Sequence, residues 1–221
     1  MKPDIQSQNY CEIRDLGFIG YAAGYRLQKE CVDRVIAGGS QTILLCEHPA
    51  VITLGRMSKG GNILDREAIE RSGIRVVAID RGGDVTLHAP GQMVVYPVLN
   101  LAQGARDLRL YMFKLEQVVI DLLRTFGIVA CRISGKTGVF VGSDKIASLG
   151  IGVRKWVTFH GLGINVSTDL QLFELIKPCG LDVRMTSIAR IKGNCVDMGK
   201  VKQRLVECFQ KEFGYEFRYT A

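Results

Sequence analysis

The chain has 221 residues, of which 47% are hydrophobic and 23% charged, with seven cysteines and a formal net charge of +7. This length and composition predict one large folded domain or two small ones, and argue against a disordered or fibrous protein. No apolar run reaches the ~18 residues of a membrane span, and the N-terminal stretch lacks the order of a secretory signal. The cysteines are odd in number and lack CxxC spacing, so we expect reduced thiols, a cytoplasmic location and neither a disulfide framework nor a metal site.

The excess positive charge favours contact with an acidic partner. The basic residues are dispersed along the chain, and neither an RNP-like aromatic strand nor a Cys/His finger is present. Nucleic-acid and membrane binding are therefore not expected. An acidic protein partner remains open, and the alternative is an ordinary solvated surface of mixed charge.

Apolar periodicity and turn residues predict the secondary structure in chain order. The first half predicts a helix at 16–37, strands at 42–46 and 51–54, a short helix at 65–71, and strands at 74–79 and 93–99. The second half predicts a helix at 108–126, strands at 138–141, 145–153 and 156–166, a short helix at 170–176 and a last helix at 197–213. Consecutive strands indicate a meander rather than βαβ units. The pattern predicts one α+β domain, with a small C-terminal appendage beginning near Leu181 as the alternative.

A glycine-rich segment, RGGDVTLHAPGQ at 81–92, is predicted as a loop between two strands. Paired glycines let a backbone approach a ligand closely, and Arg81, Thr86, His88 and Gln92 supply polar groups within a short stretch. The segment is not a P-loop, because GxxxxGK[ST] is absent. The alternative is a surface turn capped by the arginine.

Two further segments combine a basic side chain with small residues. Lys145 opens the run KIASLG, and a lysine withdrawn from water can act as a base near neutral pH. The alternative for Lys145 is a side chain that extends to solvent from a strand end. In FHGLGIN, His160 is a candidate ligand-facing histidine, and the alternative is a hydrogen-bonded core histidine. For His48, beside Pro49, we expect a role in a loop.

Cys179 lies in the bend Lys177-Pro178-Cys179-Gly180 that follows the short helix predicted at 170–176. Pro178 fixes its own φ and Gly180 leaves space around the sulfur, which suits attack on a carbonyl better than core packing. An ordinary thiol is mostly protonated at neutral pH, so a nucleophilic Cys179 needs a base or cation from elsewhere in the chain.

RGGDVTLHAPGQ, KIASLGIGVRKWVTFHGLGIN and PCGL, in this order, resemble the lipoyl(octanoyl) transferase family over about residues 47–187. The resemblance implies a biotin/lipoate protein ligase-like, class II synthetase-like fold, in which helices flank a mixed β-sheet, over a single catalytic domain at 1–221. It implies an acyltransferase that takes octanoyl from octanoyl-acyl carrier protein and places it on a lysine of a lipoyl domain, with no cofactor. The implied acceptors are the apo-lipoyl domains of 2-oxoacid dehydrogenase complexes and the glycine cleavage H protein. These partners are typically acidic, which would give the positive charge a use in steering encounter.

The resemblance also assigns residues. Cys179 matches the family's acyl-thioester cysteine and Lys145 the lysine that activates it. The implied substrate-binding residues are Arg81, Gly82, Gly83, Asp84, Val85, Thr86, Leu87, His88, Ser148, Leu149, Gly150, Gly161, Leu162 and Gly163. Leu87, Ala89 and Gly163 depart from the family's usual Tyr, Gly and Ala, which concerns the shape of the pocket and the preferred acyl-chain length.

Two other functions are weighed against this one. An ATP-dependent lipoate or biotin protein ligase of the same fold would need no nucleophilic thiol, so Cys179 argues against it. A non-catalytic module that binds lipoyl domains or carrier proteins would not need Cys179 together with Lys145. Should Lys145 not activate the thiol, His88 or His160 becomes the candidate base.

Overall fold

The computed structural model describes residues 10–58, 60–178 and 183–220. Within these ranges the chain forms two β-sheets and five α-helices. The strands are β1 (Tyr10–Phe18), β2 (Gln41–Glu47), β3 (Val51–Leu54), β4 (Arg75–Ala78), β5 (Val85–His88), β6 (Gln92–Val98), β7 (Cys131–Ile133), β8 (Lys136–Val141), β9 (Asp144–Arg154), β10 (Val157–Asn165) and β11 (Glu216–Tyr219). The helices are α1 (Tyr21–Ile36), α2 (Arg66–Arg71), α3 (Leu108–Thr125), α4 (Ile188–Lys192) and α5 (Met198–Phe213).

The large sheet has eight strands in the order β11-β1-β2-β6-β10-β9-β8-β7. β1 runs parallel to both β11 and β2, and every pairing from β2 to β7 is antiparallel. The small sheet has the order β4-β3-β5, with β3 parallel to β4 and antiparallel to β5. The predicted mixed sheet and the predicted meander of β8, β9 and β10 are both present.

Helices cover both faces of the large sheet, as β2 shows. Side chains of a strand alternate between faces. Ile43 and Leu45 pack into the core under α3 and α5, whereas Leu44 and Cys46 pack into the core under α1. β2 is therefore apolar on both sides, which explains the continuous run TILLC.

The small sheet has a hydrophobic core of its own. Ile52 of β3 and Val85 and Leu87 of β5 pack with Ile69 of α2 and Phe173 of the 3₁₀ helix at Leu170–Leu175. The two sheets are thus stabilised by separate clusters, and β5 belongs to the smaller one.

Three predicted helix starts are confirmed by their caps. The side chains of Asp65, Asp107 and Asp197 each accept a hydrogen bond from a backbone N–H in the first turn of α2, α3 and α5. A carboxylate at this position satisfies N–H groups that have no partner within the helix.

Two predicted boundaries are wrong. The helix predicted at 16–37 begins only at Tyr21, because Leu16 lies in β1, which ends at Phe18 and whose pairing with β2 outweighs the local helical spacing. The segment predicted as a loop at 81–92 contains β5, whose four residues are all buried and pair with β3. The short elements β7, α4 and β11 were not predicted.

β11 pairs with β1, so the described part of the C-terminal segment adds a strand to the large sheet. Among the described residues, no helix combines the length and the apolar character that crossing a membrane requires.

Candidate active site

A small cavity lies where the large sheet, the small sheet and the first turn of α1 meet. Its volume is about 30 Å³, which is enough to hold at least one water molecule. The cavity is lined by Tyr21, Arg81, Thr86, Leu87, His88, Gln92, Tyr96, Ser148, Leu149, Gly150, His160, Gly161, Leu162 and Gly163.

All three segments predicted to bind substrate meet at this cavity. β9 and β10 bring two of them together, because Ser148 lies opposite Gly163 and Gly150 opposite Gly161 in the antiparallel register. The buried hydroxyl oxygen of Ser148 has no hydrogen-bond partner among the described residues. It is therefore available to hydrogen-bond a ligand. The predicted residues that line the cavity are Arg81, Thr86, Leu87, His88, Ser148, Leu149, Gly150, Gly161, Leu162 and Gly163.

The remaining predicted binding residues, Gly82, Gly83, Asp84 and Val85, lie outside the cavity wall. The carbonyls of Gly83 and Asp84 accept hydrogen bonds from the N–H groups of Met57 and Gly55 at 3.1 and 3.0 Å. Val85 is fully buried in the core of the small sheet. In this structure these residues shape the turn between Arg81 and β5.

Arg81 places a buried cation in the cavity wall. Its Nη2 donates to the carbonyl oxygen and the hydroxyl of Thr53 at 2.9 and 3.0 Å, and its Nη1 donates to the carbonyl of Gly82 at 3.0 Å. A Cβ at position 150 would lie 3.1 Å from Cδ of Arg81, so glycine at 150 lets the side chain pass close to β9. A fixed guanidinium stabilises negative charge that develops on a bound group.

His88 is held in the wall by Gln92. Nδ1 of His88 lies 2.7 Å from Oε1 of Gln92, and the amide nitrogen of Gln92 donates to the carbonyl of Leu87 at 3.2 Å and to Oδ1 of Asn165 at 2.9 Å. Burial, with a smaller contribution from the nearby His48, lowers the pKa of His88 to about 3. His88 is therefore a neutral imidazole at neutral pH.

His48 lies in the connection between β2 and β3, as expected, but it is fully buried beneath the cavity. Nδ1 of His48 donates to the carbonyl of Ile19 at 2.6 Å, and Nε2 accepts a hydrogen bond from the hydroxyl of Tyr96 at 2.7 Å. The His48 ring contacts the rings of Tyr21 and His88. The expectation of a simple loop role is incomplete, because His48 fixes two aromatic side chains of the wall.

Tyr21 and Tyr96 were not predicted to belong to the site. Tyr96 lies in the strand QMVVYPV, every residue of which is buried. A phenol in such a strand needs a hydrogen-bond partner. That requirement is the sequence signal that could have drawn attention to Tyr96 and to His48.

His160 also lines the cavity and is hydrogen-bonded to Asp80. Its Nε2 lies 2.9 Å from Oδ1 of Asp80, which also accepts from the hydroxyl of Tyr25 at 2.7 Å, while Oδ2 accepts from Nζ of Lys29 at 2.6 Å. Burial lowers the pKa of His160 to about 4, against the opposing effect of Asp80. The φ angle of His160 is +56°, which is uncommon for a residue with a side chain and for a strand.

Lys145 is fully buried at the start of β9. Its backbone N–H donates to the carbonyl of Arg184 at 2.8 Å, and its carbonyl accepts from the N–H of Thr186 at 2.9 Å. A Cβ at position 138 would lie 2.5 Å from Cε of Lys145, so the lysine chain runs across a glycine of β8. Cys179, the predicted nucleophile, lies outside the described residues.

These groups define the chemistry that the site can support. A buried guanidinium and imidazoles that are neutral at neutral pH line the cavity, and a buried lysine lies on the strand that carries Ser148. Such a set suits acyl transfer, in which a tetrahedral oxyanion forms.

The comparison with family models identifies the class of protein to which this fold and site belong. The model of the lipoyl protein ligase A/B catalytic domain matches residues 21–210, which include the whole cavity wall and Lys145. Within that class, the chain is 48% identical over 201 residues to an octanoyltransferase of Syntrophotalea carbinolica, with 90% of this chain and 92% of the relative covered. The chain belongs to the octanoyltransferase family, as its motifs predicted.

Solved structures confirm the predicted fold. The chain is similar to a bi-partite lipoate protein ligase from Thermoplasma acidophilum, with a TM-score of 0.76 and 16% identity over 96% of this chain and 86% of that one. It is also similar to a biotin protein ligase from Aquifex aeolicus, with a TM-score of 0.52 and 15% identity over 93% of this chain and 70% of that one. At these identities the likeness concerns the fold alone.

Proposed function

We propose that this protein transfers an octanoyl group from octanoyl-acyl carrier protein to a lysine of a lipoyl domain, through a thioester on Cys179. Membership of the octanoyltransferase family supports octanoyl transfer, and the lipoyl protein ligase A/B class supports lipoyl-domain acceptors. The acceptors we propose are the lipoyl domains of 2-oxoacid dehydrogenase complexes and the glycine cleavage H protein. No nucleotide is needed, because passage of an acyl group from thioester to amide is downhill.

The observation that carries the proposal is the burial of Lys145. A fully buried lysine is rare unless a partner or a function compensates for its desolvation. Residues 184–186, which pair with the backbone of Lys145, follow Cys179 closely in the chain. This supports Lys145 as the group that activates the thiol.

In the first half-reaction, Lys145 takes the proton of Cys179, and the thiolate attacks the carbonyl of the donor thioester. The bond between the carbonyl carbon and the carrier sulfur breaks, and the carrier thiolate receives the proton from Lys145. The negative charge of the tetrahedral intermediate develops beside donors of the cavity wall, for which Arg81 and Ser148 are the candidates.

In the second half-reaction, the neutral amine of the acceptor lysine attacks the Cys179 thioester. The new C–N bond forms and the C–S bond breaks. The excess proton of the amine passes through Lys145 to the sulfur, which restores the starting thiol. Each turnover thus leaves the protein unchanged and consumes one donor thioester and one amine.

We also propose that residues 1–221 form a single catalytic domain, which the pairing of β11 with β1 supports. A reducing compartment such as the cytoplasm suits the mechanism, because Cys179 must be a free thiol. The net charge of +7 suits acidic protein partners and would raise their rate of encounter.

Intact-mass measurement tests the proposal. The protein, incubated with octanoyl-acyl carrier protein without ATP, should gain the mass of one octanoyl group and then lose it to an added apo-lipoyl domain. Cys179→Ser should abolish the adduct, whereas Cys131→Ser, at an exposed free cysteine, should keep it. Modification of the lipoyl domain only from free octanoate and ATP would instead make the protein a ligase. Binding of the lipoyl domain without any modification would make it a non-catalytic module.

A further inference from the structure

A chain of hydrogen bonds determines which ring nitrogen of His88 carries the proton. It begins at two backbone carbonyl oxygens, those of Leu87 and Thr186, which can only accept. Nδ2 of Asn165 donates to the carbonyl of Thr186 at 3.0 Å, so Oδ1 of Asn165 must face Gln92. The amide nitrogen of Gln92 donates to that Oδ1 and to the carbonyl of Leu87. The orientation of both amides is thereby determined.

The consequence for His88 follows from the same bonds. Because Oε1 of Gln92 is an acceptor, Nδ1 of His88 must carry the proton of their 2.7 Å hydrogen bond. The other ring nitrogen, Nε2, then holds a lone pair. Over residues 10–58, 60–178 and 183–220, Nε2 of His88 has no hydrogen-bond partner, although the side chain is only 9% exposed and lines the cavity.

The surroundings of His88 keep it neutral. Within the part of the chain that the structure describes, the titratable groups that face it are Tyr21 of α1, His48 after β2, Arg81 before β5 and His160 of β10. None of these is a carboxylate, and Arg81 is a cation that opposes protonation of the ring. A neutral imidazole with a lone pair directed away from Gln92 is an acceptor for an N–H donor, and it is a weak base at neutral pH.

We propose that Nε2 of His88 accepts a hydrogen bond from the amine of the acceptor lysine and aims its nitrogen at the thioester carbonyl, with Gln92 as the positioning residue that sets the His88 tautomer. The inference rests on the proposed function, because it concerns the second half-reaction. Orientation of an attacking group is worth several orders of magnitude in rate in favourable cases. In the proposed step the proton stays on the amine until Lys145 takes it, so His88 remains neutral throughout.

Gln92→Glu gives a test with its own pH signature. A carboxylate at Nδ1 stabilises the imidazolium and raises the pKa of His88. Below that raised pKa, Nε2 carries a proton and cannot accept from an amine. Octanoyl transfer from preformed octanoyl-enzyme to apo-lipoyl domain, relative to wild type at each pH, should therefore fall progressively as the pH is lowered and should recover towards pH 9.

Gln41→Glu is the matched control. Gln41 is also a buried glutamine of the large sheet, and its Oε1 accepts from the N–H of Asn100 and the hydroxyl of Tyr215 at 2.8 and 3.1 Å. Neither partner is a histidine, so this variant should show the wild-type pH dependence. A folded Gln92→Glu that also follows the wild-type profile at every pH would overturn the inference.

His88→Ala keeps the inference testable if Gln92→Glu does not fold. Single-turnover measurements should show that transfer to the acceptor lysine falls about tenfold more than formation of the octanoyl-enzyme does. Equal losses in the two steps would overturn the role of His88 in aiming the amine. Failure of the wild-type protein to form an octanoyl-enzyme would instead contradict the proposed function, so the two failures are distinguishable.

Discussion

Asp80 and His160 are joined across the mouth of the site by a 2.9 Å hydrogen bond between Oδ1 and Nε2. Asp80 directly precedes Arg81, and its other oxygen is bonded to Lys29 of α1. One carboxylate therefore links α1, β10 and the turn that carries the buried guanidinium. The position of Arg81 depends on a residue that does not line the cavity.

Asp80→Asn should weaken the hydrogen bonds through which residue 80 connects α1 and β10. The bonds from Lys29, His160 and Tyr25 outweigh burial and hold the pKa of Asp80 below its ordinary value of 3.8. Because its side chain is 34% exposed, we expect a loss of only about 1 kcal/mol in unfolding free energy at pH 7. The stabilisation is complete above about pH 4 and disappears as the pH falls through the lower folded-state pKa, so the difference from wild type should shrink in acid.

Urea unfolding at pH 7 and under acid conditions checks this expectation. Asp33→Asn, in the exposed pair with Arg154, is the control and should change the unfolding free energy little. A difference between Asp80→Asn and wild type that widens on acidification would contradict the argument.

The chain's three histidines should lower the free energy of unfolding as the pH falls below neutral. Burial lowers the pKa of His48, that of His88 to about 3 and that of His160 to about 4. The unfolded chain binds protons at these residues below about pH 6.5 while the folded protein does not, so acidification favours unfolding. We expect a loss of about 1–2 kcal/mol at pH 5 from each of His88 and His160.

The unfolding free energy measured between pH 8 and pH 5 tests this connection between histidine protonation and stability. His88→Gln removes one of the three groups and should flatten the dependence. Stability that stays constant or rises over this range would show that the histidines are protonated in the folded protein.

Gly138→Ala should disturb Lys145 specifically. The φ angle of Gly138 is +129°, and an added Cβ would lie 2.5 Å from Cε of Lys145 and 2.7 Å from the carbonyl oxygen of Ala147. Gly142→Ala is the matched control, because its φ is also positive, at +59°, but nothing lies within 4 Å of the added Cβ. Both variants should lose about 1 kcal/mol or more from backbone strain.

The rate of octanoyl-enzyme formation separates the two glycine variants. Gly138→Ala should lower it about tenfold or more, since a misplaced base loses most of its contribution. Gly142→Ala should retain the wild-type rate. Equal rates in the two variants would indicate that the position of Lys145 does not matter for acylation.

Lys145→Met should reduce the reactivity of Cys179 while it keeps a long apolar chain in the buried site. Without the amine, thiolate formation moves to higher pH, and alkylation of Cys179 at pH 7 should slow about tenfold or more. Lys200→Met, at an exposed lysine of α5, is the control and should react as wild type does. An unchanged alkylation profile in Lys145→Met would leave His88 or His160 as the candidate base.

Much of the fold could be predicted because its signals are local. The apolar runs of β2, β6 and β10 and the aspartates that cap α2, α3 and α5 lie within the elements they define. β1 was missed because its strand conformation depends on pairing with β2 and β11. β5 was missed because the glycines that precede it favoured a loop prediction, and the strand itself has only two alternating apolar residues, Val85 and Leu87.

The composition of the site was only partly predictable. The motifs predicted Arg81, His88, Ser148 and His160 as site residues. The register of β9 and β10 explains why Ser148 and the glycines of β10 lie together. Sequence spacing gave no reason to connect Asp80 with Lys29, 51 positions away, or His48 with Tyr96, 48 positions away. Such contacts depend on how α1 and the two sheets pack, which no single segment encodes.

The core of the small sheet lies behind one wall of the cavity. One wall belongs to β9 and β10 of the large sheet and the other to β5, which packs with α2 and Phe173. Met185 belongs to the same smaller core and also forms a β-bridge with Lys145 at the start of β9. A substitution in the smaller core is therefore expected to shift the β5 wall and the surroundings of Lys145 together, so cavity shape and lysine position cannot change independently through this core.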